Sequence, residues 1–176
     1  MSWDAAAADD LAGGRAAAIL VDFDNVFTRL WERDVELAIR FASDPARWLK
    51  ALTRSSSGEK RRWLVARCYL NPSGWVSDPG EPGGRLRFYK LRPAFVEAGF
   101  EVIDCPPVTR GAKNAADIRI VMDVLDLLDR RTRFDEFVFV SGDSDFTPLL
   151  QVMQLRDFAL VTGTPDRFMQ NQMRLP

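Results

Sequence analysis

Short apolar runs rich in β-branched and aromatic residues punctuate the chain, and between them apolar positions recur at helical spacing. The runs at residues 16–23, 63–70, 100–104, 137–140 and 158–161 predict strands. Helical spacing covers 27–52, with a break near Ser43-Asp44-Pro45 where an Asp-Pro pair stops one helix and caps the next. Residues 85–98 predict a further helix in spite of Pro93, ended by Gly99, and 146–155 a last one with Pro148 in its first turn. The clearest stripe lies over 114–128, where Ile118, Val121, Met122, Leu125 and Leu128 share a face. Strands and helices alternate, so the expected fold is α/β: a mainly parallel sheet of about five strands, joined by right-handed crossovers and flanked by helices. Between the second strand and the helix predicted at 85 lies a long Pro/Gly-rich loop, a length that within a compact domain signals function or mobility.

Composition narrows the chemistry more than the fold. With 176 residues, 47% of them hydrophobic, the chain supplies one core. Residues 1–14, Ala-rich with Asp4, Asp9 and Asp10, read as a flexible leader, and 15–176 as a single domain cut short at its C-terminal end. The 24 basic and 25 acidic residues nearly cancel, so any attraction to nucleic acid has to come from local clusters. Histidine is absent, which leaves carboxylates as the main acid–base and metal-binding resource. Cys68 and Cys105 are too far apart for a zinc knuckle and read as buried, reduced thiols rather than a disulfide. No apolar run is long enough for a signal peptide or a membrane span, and a soluble cytoplasmic protein is expected.

The carboxylates fall where an open sheet concentrates chemistry. Asp22 ends the first strand, Asp143 and Asp145 follow the fourth, and Asp117 lies in the first turn of the helix leading into that strand. Taken singly, each reads as a helix cap or turn former. Taken together, they would raise one another's pKa values and oppose folding unless a cation neutralised them. An all-oxygen donor set without imidazole or thiolate suits Mg²⁺ or Mn²⁺, and such ions promote phosphodiester hydrolysis. Asp123 lies ~9 Å further along the helix than Asp117 and ~120° round it, too far for the two to share one ion.

Three segments carry a family resemblance: Val-Asp-Phe-Asp-Asn at 21–25, Arg-Gly-Ala-Lys-Asn-Ala-Ala-Asp at 110–117 with Asp123 downstream, and Ser-Gly-Asp-Ser-Asp-Phe-Thr-Pro-Leu at 141–149. Together they resemble the motifs of the NYN domain, a branch of the PIN-like metal-dependent nucleases. The resemblance implies a Rossmann-like, PIN-like sheet, a Mg²⁺ or Mn²⁺ site and RNA as substrate. It casts Asp22, Asp117, Asp143 and Asp145 as catalytic and metal-binding, with Asn25 supporting the first-strand ligand; Asp24, an extra carboxylate where the family often has a small or varied residue, Ser141 and Asp123 are read as supporting residues beside them. It also implies that Lys113 and Ser141 face phosphate.

Two other readings stand beside it. A haloacid dehalogenase-like phosphatase would use Asp22 and Asp24 of the Asp-x-Asp pair as nucleophile and acid/base, although its other motifs are missing or come in the wrong order. A non-catalytic PIN-like module would bind RNA or a protein without cleaving. For substrate contact, Arg110 and Lys113 precede the Asp117 helix at the active edge and suit phosphate, and Trp75 in the Pro/Gly-rich loop offers a ring on which a base can stack.

Overall fold

The structure is a computed structural model that describes residues 14–54, 58–78, 80, 83–107, 115–143, 146, 149, 151, 153 and 159–163, the last five as backbone only. In chain order its elements are β1 (Arg15–Asp22), α1 (Phe23–Arg33), α2 (Val35–Ser43), α3 (Pro45–Ala51), β2 (Arg61–Leu70), β3 (Trp75–Ser77) and β4 (Arg85–Arg87). A 3-10 turn (Phe88–Leu91), α4 (Arg92–Glu97), β5 (Glu101–Asp104), α5 (Ala115–Asp129), β6 (Glu136–Val140) and β7 (Ala159–Gly163) complete them.

Five strands form one sheet in the order β5-β2-β1-β6-β7, and every pair is parallel. The chain builds outward from β1 to β2 and β5, then crosses back over β1 to lay down β6 and β7. The direction of winding therefore reverses between β1 and β6, and such a reversal opens a crevice at the carboxyl ends of the strands. Both of these strands are buried on both faces, which is why they read as unbroken apolar runs rather than alternating ones.

One face of the sheet is covered by α1 to α4. Their core is aromatic: Phe23 and Phe27 of α1 and Phe41 of α2 pack with Trp48, Phe88, Phe95 and Phe100 beneath Ile19, Val21, Cys68 and Val138. On the other face Ile120, Val124 and Leu127 of α5 pack on Ala18, Leu20, Tyr69, Phe137 and Phe139. Cys68 and Cys105 are buried free thiols, both pushed above the ordinary thiol range chiefly by burial. Among the described residues no helix is long and apolar enough to cross a membrane.

Three helix boundaries differ from the pattern-based expectation. The helical stretch begins at Phe23, not Phe27, and breaks at Asp34 as well as at Asp44. Asp34 closes α1 through its backbone N–H to Leu30 O and opens α2 by accepting from Leu37 N at 2.9 Å, so one residue serves as both caps. Asp44 opens α3 in the same way, with Pro45 at the first helical position. The segment from Arg85 starts as a strand instead of a helix: β4 pairs antiparallel with β3, and Val76 and Leu86 pack inward while Trp75, Ser77 and Arg85 are exposed. The predicted 146–155 helix, residues 1–13 and the chain beyond 163 lie outside the described residues for most or all of their length.

The edge opposite the crevice is closed by a buried ion pair. Arg61 at the start of β2 and Glu136 at the start of β6 are each 4% exposed, and two parallel hydrogen bonds of 2.8 Å join them. The guanidinium also donates to Leu52 O at 2.7 Å. Removing one partner strands the other charge in the interior, which costs several kcal/mol, whereas replacing both by apolar groups can be neutral. Glu136→Gln should therefore destabilise the protein by ~3–5 kcal/mol in urea unfolding, and the Arg61→Met/Glu136→Leu double variant by less; equal losses would contradict this account.

Candidate active site

Asp22 is the last residue of β1 and the N-cap of α1, where its carboxylate accepts from Asn25 N at 3.5 Å. It is 3% exposed. Next to it, at the end of β6, Ser141 donates its hydroxyl to Asp22 Oδ2 at 3.0 Å and accepts from Asp143 N at 3.1 Å. Asn25 ties the same two strand ends together. Its Oδ1 accepts from Gly142 N at 3.0 Å, and its Nδ2 donates to Asp143 Oδ2 at 3.5 Å. Gly142 leaves room for this closeness, since a Cβ there would lie 2.8 Å from Arg29 Cδ and 3.1 Å from Asn25 Oδ1 and would push those side chains aside.

These groups open into a cleft of about 600 Å³ at the carboxyl edge of the sheet. Asp22, Asp24, Asn25, Asp117 and Asp143 line it, so carboxylates from β1, α1, the start of α5 and the β6 end face one space. Burial pushes Asp22 up to about 7, with the neighbouring charge of Asp117 as the next cause; the hydrogen bonds from Ser141 and Asn25 oppose the rise. Asp24 is also pushed up to about 7 by burial, against the pull of the hydrogen bond that Asn71 N gives its Oδ1 at 3.0 Å.

The oxygen-only donor set fits a hard divalent cation, because a positive charge in the cleft would reverse what burial and Asp117 do to Asp22. Among the described residues no three acidic groups already converge into a closed cage. Mg²⁺ does not require one, being held as a rule through one or two carboxylates while keeping waters and taking substrate oxygens.

The sequence-derived site residues separate in space. Asp22, Asp24, Asn25, Asp117 and Asp143 share the cleft. Ser141 does not turn to the open space as a phosphate contact would; its hydroxyl is spent on Asp22. Asp123 is elsewhere: 4% exposed, it accepts from Tyr69 Oη at 2.8 Å and Arg119 Nε at 3.0 Å and pairs with Arg67 at 3.2 Å. It braces α5 against β2. Trp75 does not line the cleft, and Asp145, Arg110 and Lys113 lie outside the described residues.

Among the cleft residues that the sequence did not point to, Thr28, Arg29, Glu32 and Asn71 carry polar side chains. The first three follow Asn25 at three, four and seven residues along α1, one face of a helix. That spacing was available as a signal once Asp22 was placed at the helix start.

Both carboxyl shifts act on stability with the same sign. The folded chain keeps protons on Asp22 and Asp24 that the unfolded chain releases above pH 3.8, so their contribution is complete below that value and lost as pH rises toward about 7. In metal-free protein at about pH 8, Asp22→Asn should melt higher than wild type by ~2–4 °C, the equivalent of ~1 kcal/mol in a chain of this size. The gap should close toward about pH 4, below which both forms are neutral in either state. A gap independent of pH would show that charge is not its cause.

Comparison with known proteins places this geometry. A comparison with curated proteins finds no match. A solved structure from Vibrio parahaemolyticus, described as a protein of unknown function, is similar over 98% of this chain and 92% of its own, with a TM-score of 0.61 at 23% identity, which speaks for the fold alone. The model of the NYN domain matches residues 16–172, nearly the whole chain. With described residues of all three motifs lining one cleft, the chain belongs to the NYN domain family, a family of PIN-like nucleases.

Proposed function

We propose that this protein is a metal-dependent ribonuclease whose active site is the cleft at the ends of β1 and β6. The observation that carries the reading is the convergence of Asp22, Asp117 and Asp143 on one cleft, with Asp22 driven toward neutrality by burial and by Asp117. Such an arrangement works against folding unless a cation compensates it. Family membership favours the nuclease over the haloacid dehalogenase-like phosphatase.

Asp22, Asp117 and Asp143 would hold the Mg²⁺ or Mn²⁺, with Asp145 as a fourth candidate from the motif alone. The bound ion supplies charge stabilisation for a phosphodiester and a water made more acidic. Ser141 and Asn25 fix the orientation of Asp22 and Asp143 and lock the two strand ends in register. Asp24 stands beside them on the cleft wall, its Oδ1 held by the backbone N–H of Asn71. Arg29, on the cleft wall beside Gly142, offers a guanidinium to substrate phosphate, a role that Arg110 and Lys113 share on motif grounds.

Purified protein should cleave RNA with Mn²⁺ or Mg²⁺ and lose cleavage on addition of EDTA. Asp22→Asn and Asp143→Asn should each lower the rate by ~100-fold or more, the loss of several kcal/mol of charge stabilisation. Saturating Mn²⁺ should raise the wild-type melting temperature and leave that of Asp143→Asn nearly unchanged. Binding of RNA without cleavage, and without stabilisation by Mn²⁺, would favour the non-catalytic module instead.

A further inference from the structure

The hairpin of β3 and β4 stands outside the cleft and serves no part of the chemistry assigned above, yet it is firmly built. Val76 and Phe88 are buried in the aromatic core, Gly74 and Phe88 are joined through Phe88 N to Gly74 O, and a Cβ on Gly74 would run into the Phe88 ring. The indole of Trp31, near the end of α1, donates to Ser77 O at 3.2 Å. The ribbon is thereby fastened to the same helix whose Thr28, Arg29 and Glu32 line the cleft.

Its outer face has an unusual composition. Strand alternation turns Val76 and Leu86 into the core and puts Trp75, Ser77, Arg85 and Arg87 on the other side, with Trp75 directly opposite Arg87. Trp75 is 42% exposed. The guanidinium of Arg85 lies over its ring, 4.1 Å from the centroid. The face thus carries one exposed indole with the Arg85 guanidinium over it and the half-buried Arg87 at the pairing position opposite, and Tyr89 a little further on is a second exposed ring. A Trp that only anchored its own loop would be driven into the core beside Val76; this one is held out on a rigid support.

Planar aromatic and guanidinium surfaces with fixed positive charge are the chemistry that recognises unpaired bases and the phosphates between them. The hairpin also sits at the right edge. It follows the carboxyl end of β2, and Asn71, whose backbone N–H holds Asp24, is a cleft residue separated from Trp75 by four residues, at most ~14 Å of chain.

We infer that the β3–β4 hairpin is a docking platform for single-stranded RNA, on which a base stacks at Trp75 and Arg85 while Arg85 and Arg87 meet the backbone, so that the strand runs from there into the cleft. The inference rests on the nuclease reading for the destination of the strand, but not for the binding itself. A paired duplex keeps its bases stacked on one another and has no free base face to offer, so the platform selects single strands.

The test is binding of a labelled single-stranded RNA of about twelve nucleotides to the full chain in EDTA, where no cleavage interferes, alongside a duplex of the same strand. Trp75→Ala and Trp75→Leu should weaken single-strand binding roughly tenfold or more, Trp75→Phe should retain most of it, and duplex binding should not change. Arg87→Ala should flatten the salt dependence by ~0.7 in the log–log slope, whereas Trp75→Leu should leave the slope alone. Wild-type affinity for single strands in Trp75→Ala and Trp75→Leu, an equal loss for duplex, or no RNA binding by the wild type would overturn the platform; the last would leave the face to a protein partner. Cleavage of single strands with unchanged KM in Trp75→Leu would overturn the platform and leave the nuclease standing. Trp75-dependent binding without cleavage in Mn²⁺ would do the reverse.

Discussion

A carboxylate held at the end of a strand with no exposed face is the constraint around which this protein is arranged. Asp22 terminates β1, the central strand of the sheet, and it lies between two neighbouring strands, under α1 and close to the charge of Asp117. Leaving it uncompensated is unfavourable, and the surroundings answer with donors: Ser141 from the β6 end, and Asn25 from the first turn of the helix that Asp22 itself caps. The same two residues reach Asp143: Ser141 Oγ accepts from its backbone N–H, and Asn25 Nδ2 donates to its carboxylate. The coupling between the β1 and β6 ends is therefore a by-product of solvating Asp22, and it sets the geometry of the cleft.

The reversal of strand order explains why the cleft lies there. Because β2 and β5 go to one side of β1 and β6 and β7 to the other, the connections leave β1 and β6 in opposite directions and the space between them stays open. The two helical layers contribute differently. From α1 come Asn25, Arg29 and Glu32 along one face, while α5 offers only its first turn, with Asp117. Further along α5, Asp123 is committed to Tyr69, Arg67 and Arg119, an ionic clasp that fixes the helix on β2 and so fixes where Asp117 can be. Asp117 and Asp123 of this helix thus take different places, one on the cleft and the other in the clasp.

Charge is distributed to match. The cleft is acidic and the hairpin face basic and aromatic, so a polyanion would be gripped away from the carboxylates and would enter the cleft only where cations offset them. An overall net charge of −1 conceals this separation.

The amino-acid sequence determined the α/β alternation and the buried central strands, and it singled out Asp22, Asp117 and Asp143, which the folded chain brings to one cleft. Strands buried on both faces must be continuously apolar, and a carboxylate that interrupts such a run at its end is conspicuous. It did not reveal the break at Asp34, because a residue that is both caps leaves the helical spacing around it undisturbed. Nor did it reveal the β3–β4 hairpin, whose strands are too short for a period-two pattern to stand out. Asp24 and Asp123 looked alike as supporting acids, and only the tertiary structure separated them. Asp24 follows β1 into the crevice, whereas Asp123 meets the side chain of Tyr69, which strand alternation sends to the α5 face. Strand order and side-chain facing are set by contacts between distant segments, and so the strand end that began as a run of apolar residues closed by an aspartate became a site only in the folded sheet.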